Sequence, residues 1–170
     1  MKLATDSLTE KNLLKKLMDG TATETGQSFF RALVKNLAQA LGTHGAWVTE
    51  YLPDKKHLRA MAFWLGSSYV DHYEYDIAGT PCEPTIKKRT LQHIPDNVVK
   101  LFPADPDLPK VGAVSYMGFP LLDPENNILG NLAVLDTQPM PESFRNQAVF
   151  RIFAARATAE LLRIHAEADI

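Results

Sequence analysis

Two pairs of strand-like segments, separated by a long irregular stretch, constrain the fold of this chain more than any other feature. The first pair covers 46–52 and 57–66, and the second covers 113–123 and 128–136. Both pairs are rich in β-branched and aromatic residues, and a short polar turn joins the two members of each pair. Such a pattern predicts two antiparallel hairpins.

Helical periodicity flanks the strands at both ends of the chain. Apolar residues recur at helical spacing over 27–41 and, more weakly, over 8–18, and a broad apolar band begins at Phe144. Helices around an antiparallel sheet indicate an α+β domain. We expect one domain over 1–170, with an N-terminal helix and loop (1–25), a core (26–140) and a C-terminal helix (141–170).

The stretch 67–112 between the hairpins is rich in proline, glycine and aspartate. Long irregular segments inside a compact domain are often functional. We expect short helices near 83–88 and 105–111 and a short strand near 91–94. Because a bare apolar sheet face is costly in water, this segment should cover one face of the sheet.

Composition narrows the classes of partner. The 170 residues carry a formal net charge of -2, which gives no reason to expect nucleic acid. No apolar run is long enough to cross a bilayer, and the start of the chain does not look like a signal peptide. We therefore expect a cytoplasmic protein, or a cytoplasmic part of a larger one, with no membrane partner.

Three stretches resemble the GAF domains: ETGQSFFRALVKNLAQALGTHGAWVTEY, SYMGFPLLDPENNILGNLAVLD and LAVLDTQPMPESFRNQAVFRIFAARATAELLR. The middle segments YDIAGTPCE and LFPADPDLPKVGAVSYMG look like a subgroup found in bacterial signalling proteins. The resemblance implies a sheet of about six antiparallel strands with the terminal helices on one face. It also implies a small-molecule pocket on the other face, under the irregular segment. Family members bind cyclic nucleotides, tetrapyrroles or other small ligands, so the ligand and any cofactor stay unknown.

Cys82 is the only cysteine, which excludes an internal disulfide and a cysteine-rich zinc site. No histidine forms a recognisable pairing motif with it. GAF domains that reduce methionine sulfoxide use several cysteines, and those that bind bilins often have histidine where Glu83 stands. We expect a buried structural cysteine and no covalent chromophore, catalytic residue or metal site. A redox change or ligand contact at Cys82 stays open.

Six residues are candidates for ligand contact: Trp64, Tyr75, Thr80, Cys82, Tyr116 and Phe119. The four aromatic residues among them should wall the pocket, with simple core packing as the alternative. Thr80 is expected to cap a helix that starts near Cys82, and its turn would offer N–H groups to an anionic ligand group. Trp47 and Phe63 are assigned to the core, and Asp105 and Asp107 to turns.

The sequence thus favours a sensory or regulatory module of bacterial signal transduction that relays ligand binding through its terminal helices. A signalling output protein is a possible partner, and the broad apolar band of the last helix predicts a homodimer through the terminal helices. The alternative is a dimerisation or protein-interaction module with a vestigial pocket. An enzyme that uses Cys82 is the least favoured reading.

Overall fold

The structure, a computed structural model, describes residues 26–168. Its elements are α1 (Gly26–Leu41), β1 (Gly45–Leu52), β2 (His57–Leu65), β3 (Ser68–Tyr69), β4 (Glu74–Asp76), α2 (Cys82–Lys88), β5 (Gln92–Ile94), α3 (Val98–Leu101), β6 (Ser115–Leu122), β7 (Ile128–Asp136) and α4 (Phe144–Ala168). The predicted α+β class is confirmed. The helix expected over 8–18 lies outside the described residues.

Within residues 26–168, seven strands form one antiparallel sheet in the order β3-β2-β1-β7-β6-β5, and β4 pairs with the outer edge of β2 beside β3. The two predicted hairpins are β1–β2 and β6–β7, and they join through β1 and β7. The helix expected over 105–111 is wrong, because residues 106–107 form a bend and residues 108–112 form turns instead. Pro109 lacks an N–H group and cannot extend a helical ladder.

The terminal helices α1 and α4 pack on one face of the sheet. Phe30, Leu33 and Phe150 are fully buried there against Val48 and Leu132. The backbone N–H of Gly26, at the start of α1, also donates to Glu160 Oε2 of α4 at 3.1 Å. This face matches the two-helix layer expected from the sequence.

The opposite face is covered by α2, α3 and the irregular segment that carries them. A second apolar cluster lies there and includes Trp47, Cys82, Val98, Tyr116 and Leu135. Successive residues of a strand point to opposite faces, so β7 sends Val134 to the helices and Leu135 to this second cluster. The candidate site is on this face. No helix within residues 26–168 is both long enough and apolar enough to span a membrane.

Gly118 in β6 leaves room for a neighbouring side chain. A Cβ atom built on Gly118 would collide with the Tyr116 hydroxyl, because the Tyr116 ring lies along the strand over this glycine. The sequence pattern predicts a bulge or a close backbone approach at Gly118, and this prediction is wrong: the β6–β7 register shifts only between Leu121 and Leu122, and the group that approaches Gly118 is a side chain. The absence of a side chain at 118 lets the Tyr116 hydroxyl reach α2.

Candidate functional site

A cavity of about 160 Å³ lies between the sheet and the irregular segment. The described residues that line it are Trp47, Phe63, Leu65, Val70, Tyr73, Tyr75, Thr80, Pro81, Cys82, Asp105, Asp107, Leu108, Lys110, Val111 and Leu135. An apolar cavity of about 150 Å³ holds a molecule such as benzene. The volume therefore suits a ligand built on a single ring.

Four aromatic side chains form much of the wall. The Trp47 and Phe63 rings lie 5.2 Å apart, Phe63 and Tyr73 lie 5.4 Å apart, and Tyr73 stacks on Tyr75 at 4.9 Å. These separations are typical of favourable aromatic pairs, so each ring holds its neighbour in place. The wall is a preformed aromatic surface.

A chain of hydrogen bonds fixes the polar ends of these rings. The Trp47 indole N–H donates to the Tyr75 hydroxyl at 2.8 Å, and this hydroxyl lies 3.3 Å from Cys82 Sγ. Beneath the cavity, the Tyr116 hydroxyl donates to the same sulfur at 3.4 Å and lies 3.2 Å from Thr85 Oγ1. Burial raises the pKa of both Tyr75 and Tyr116, so both phenols stay protonated and available as donors.

Cys82 lies at the centre of this network, with 1 % of its surface exposed. Burial raises the pKa of its thiol, against the opposing effect of the hydrogen bonds from Tyr116 and Tyr75. A catalytic cysteine needs the reverse, a thiol whose pKa is lowered by a cation or an imidazole. None of the histidines in the described part of the chain lines the cavity. The surroundings of Cys82 therefore suit a structural thiol.

Two carboxylates lie on the side of the cavity that the irregular segment forms. Asp105 is 7 % exposed, and its Oδ1 accepts the N–H groups of Asp107 at 2.9 Å and Leu108 at 3.2 Å. Burial raises the pKa of Asp105, although these two donors act in the opposite direction. Asp107 accepts a short hydrogen bond from the Tyr73 hydroxyl and lies 3.7 Å from the Lys110 ammonium. The raised pKa of Tyr73 follows from its burial and from this bond.

Thr80 lines the cavity, but it does not cap α2. Its hydroxyl donates to the Ile77 carbonyl at 2.8 Å, and Pro81 occupies the N-cap position without a side-chain hydrogen bond. The predicted cap is therefore wrong, because the Thr80 hydroxyl stabilises the preceding turn instead. With the two carboxylates across the cavity, the site offers little to the anionic group expected from the sequence.

The structure brings together only part of the predicted ligand set. Tyr75, Thr80 and Cys82 line the cavity, and Tyr116 lies directly beneath its wall, fully buried. Contact of any of these residues with a ligand stays a prediction.

Trp64 and Phe119 lie on the other face of the sheet, so their expected place in the wall is wrong. Trp64 packs edge-on against Tyr69 at 4.9 Å, with the Lys35 ammonium 5.2 Å from its ring. Phe119 lies below the Arg151 guanidinium at 5.1 Å. Both belong to the core under the terminal helices.

Sequence reasoning assigned Trp47 and Phe63 to the core and missed Tyr73, and it assigned Asp105 and Asp107 to turns alone. Trp47 and Phe63 are register partners in β1 and β2, so they necessarily share a face. Alternation in β1 was the available signal for Trp47, and the β1–β2 pairing then carries Phe63 to the same face. Within residues 26–168, no group of three or more His, Cys, Asp or Glu residues is arranged to hold a metal ion.

No protein-family model matches this chain, and no curated protein matches it in sequence. Solved structures do match. The GAF domain of a phosphoenolpyruvate-protein phosphotransferase from Coxiella burnetii superposes with a TM-score of 0.77 at 15% identity, over 96% of this chain and 98% of that chain. The corresponding Acinetobacter domain superposes with a TM-score of 0.76 at 13% identity, over 95% of this chain and 98% of that chain. The chromophore-binding domain of a bacteriophytochrome from R. palustris gives 0.72 at 12% identity, over 98% of this chain and 63% of that chain. The chain therefore has a GAF-like fold.

Proposed function

We propose that this chain is a sensory or regulatory module of bacterial signal transduction, which binds a small ligand in the cavity and relays binding through its terminal helices. The observation that carries the proposal is the cavity of about 160 Å³, which lies on the side of the sheet opposite the terminal helices, next to a well-packed apolar cluster. Protein interiors normally leave few voids larger than a water molecule. A lined, aromatic void is the usual form of a ligand site.

The hydrogen bonds of the covering segment support a relay. The linker between β7 and α4 is tied to this segment, since the Met140 N–H donates to the Pro95 carbonyl at 2.9 Å and His93 Nε2 lies 2.7 Å from the Met140 carbonyl. Farther along the segment, the Val114 N–H donates to the Asp136 carbonyl at 2.8 Å. A ligand that moves the covering segment would therefore move the start of α4.

Native mass spectrometry of the purified protein tests the proposal first, because a ligand retained from the cell would appear as added mass. A panel of single-ring compounds, represented by benzyl alcohol, benzylammonium and benzoate, then tests the empty protein. Binding should raise Tm by mass action and change the emission of Trp47, measured in a Trp64→Phe background that leaves one tryptophan.

Val70→Phe should abolish ligand binding, because Val70 lines the cavity and a ring at this position would fill it. Leu101→Phe is the control, since Leu101 is 61% exposed and lies outside the cavity lining. Binding that survives Val70→Phe unchanged would place the ligand elsewhere.

Hydrogen exchange tests the relay. The ligand should change the protection of backbone amides in the first turns of α4, and an effect confined to 95–114 would reject relay through that helix.

A second candidate function, a dimerisation or interaction module, is favoured by one surface of α4. Five apolar residues on this helix are exposed and follow each other at spacings of three or four: Phe144, Ala148, Ile152, Ala155 and Ala159. Phe144 is 90% exposed and Ile152 is 37% exposed. Such spacing is typical of a helix that pairs with a second helix. A homodimer through this face is compatible with ligand sensing, and failure of every ligand test would leave it as the main function.

A further inference from the structure

The side chains around the cavity suit one charge class of ligand, and the following inference rests on the proposed function. We propose that the cavity takes a small organic cation, a protonated amine or a methylated ammonium attached to one flat ring. The four aromatic side chains would hold the ring and the cationic group, while Asp105 and Asp107 would supply the opposite charge.

The aromatic wall is the first argument. The faces of Trp, Tyr and Phe rings attract cations, most strongly where water is excluded. On the helix side of the sheet, the protein supplies such cations itself, for example Arg31 at 3.9 Å from the Tyr69 ring centre and Lys35 at 5.2 Å from Trp64. Among the described residues, no lysine or arginine occupies the corresponding position over a cavity ring. Among these residues, therefore, no protein cation competes with a ligand for the cavity rings.

The polar atoms of the wall are the second argument. The hydroxyls of Tyr73 and Tyr75 and the indole N–H of Trp47 already have hydrogen-bond partners in the protein. Donors suited to an anionic ligand are therefore engaged. The wall offers ring surface and acceptors instead.

Asp105 is the third argument. More than nine-tenths of this residue is buried, it lines the cavity, and both hydrogen bonds to its carboxylate end on Oδ1. Among the described residues, none donates to Oδ2. The carboxylate therefore has an oxygen with no donor from the protein, which can accept a charge-assisted hydrogen bond from a cationic ligand.

Among the described residues, Lys110 is the only lysine or arginine that lines the cavity, and it is a weak competitor for this role. Its side chain is 74% exposed, and its ammonium lies 3.7 Å from Asp107 Oδ1. An exposed ion pair of this length contributes little. A bound cation would compete with Lys110 for Asp107, so removal of the lysine charge should strengthen cation binding.

A matched ligand series tests the inference: benzylammonium, benzyl alcohol and benzoate share one ring and differ in charge. Calorimetry on the full chain should find benzylammonium bound about tenfold more tightly than benzyl alcohol, with benzoate weakest. Equal binding of all three would leave the cavity as a ligand site and overturn the charge preference. Failure of all three to bind would count against the cavity itself. Preference for benzoate would reverse the inference.

Variants assign the charge preference to named residues. Asp105→Asn keeps the Oδ1 acceptor for the two backbone N–H groups and should reduce the preference for benzylammonium to about twofold or less. Asp107→Asn keeps an acceptor for the Tyr73 hydroxyl, and it gives a second test of the charge preference if Asp105→Asn folds poorly. Lys110→Met should tighten benzylammonium binding several-fold, an effect that a purely structural role for these carboxylates would not produce. Asp54→Asn, in the exposed turn after β1, is the matched control and should change nothing. A preference that persists in both carboxylate variants would overturn the assignment.

Discussion

Replacement of Cys82 separates a structural thiol from a nucleophile. Cys82→Ser keeps a polar atom beside the hydroxyls of Tyr75 and Tyr116 but loses the apolar contacts of the sulfur, which should cost about 1–2 kcal/mol. Cys82→Ala removes the shared acceptor as well. At about 1 kcal/mol for each lost hydrogen bond and about 1 kcal/mol for the small void, its loss should be about 3 kcal/mol.

Urea unfolding followed by Trp fluorescence measures both losses. With a slope of about 2 kcal/mol/M, the midpoint should fall by about 0.5–1 M in the serine variant and by about 1.5 M in the alanine variant. The slope should stay constant, because the fold is retained. In the unmodified protein, a disulfide reagent should label the folded thiol far more slowly than the urea-unfolded thiol.

Three results would refute this reasoning. An alanine variant no less stable than the serine variant would show that the two phenols do not depend on the sulfur. Rapid labelling of the folded protein would show that the thiol is accessible. Loss of a measurable biochemical activity in Cys82→Ser, with an unchanged urea midpoint, would favour the enzyme reading instead.

Three further predictions test the site, the sheet and the surface. Burial raises the pKa of Asp105 above its ordinary value of 3.8, so the cost of burying its charge is absent at pH 3 and grows as pH rises through the folded pKa. Asp105→Asn should therefore raise the urea midpoint more at pH 7 than at pH 3. The opposite order would contradict the burial argument. Gly130→Ala should prevent stable folding, because a Cβ atom there would overlap the Thr49 carbonyl of the neighbouring strand. A circular dichroism melt like that of the unmodified protein would reject the register of β1 and β7. Ile152→Glu should dissociate a homodimer in light scattering while Leu101→Glu, on the exposed part of α3, should not; a monomer in the unmodified protein at high micromolar concentration would defeat the dimer.

Local patterns predicted the long elements of this fold well. The 3.6-residue period of α1 and the apolar band of α4 reflect one buried face each, and the hairpins β1–β2 and β6–β7 follow from short polar turns between strand-like runs. The short strands β3 and β4 could not be predicted in this way. They contain two and three residues, and they exist because the outer edge of β2 offers them hydrogen-bonding partners.

The site was predictable only in part, and a single irregularity explains the main error. Leu58 and Ala60 of β2 point to the cavity side, so strict alternation would place Trp64 there too. The β1–β2 register shifts between Val48 and Thr49, where their partners are Ala62 and Ala60, and Met61 is the extra residue. A one-residue bulge moves every later side chain to the other face. Phe63 therefore faces the cavity, and Trp64 faces the helices.

Phe119 illustrates a simpler limit. It stands three residues after Tyr116 in β6, so the two side chains must point to opposite faces. The pattern shows that they separate but not which of them faces the cavity. That choice depends on Gly118, which leaves room for the Tyr116 ring on the cavity side.

The cavity and the buried carboxylate together indicate that the packing between the sheet and the irregular segment is not optimised for stability. The cavity of about 160 Å³ leaves its aromatic lining without the packing contacts that a filled core would supply. Asp105 adds the cost of a carboxylate held away from water. Val70→Phe and Asp105→Asn should both relieve these costs, and both should impair ligand binding. Stability and binding should therefore change in opposite directions at these two positions, as they do where a fold gives up stability for function. At Cys82, which holds the wall together, a substitution should lower both.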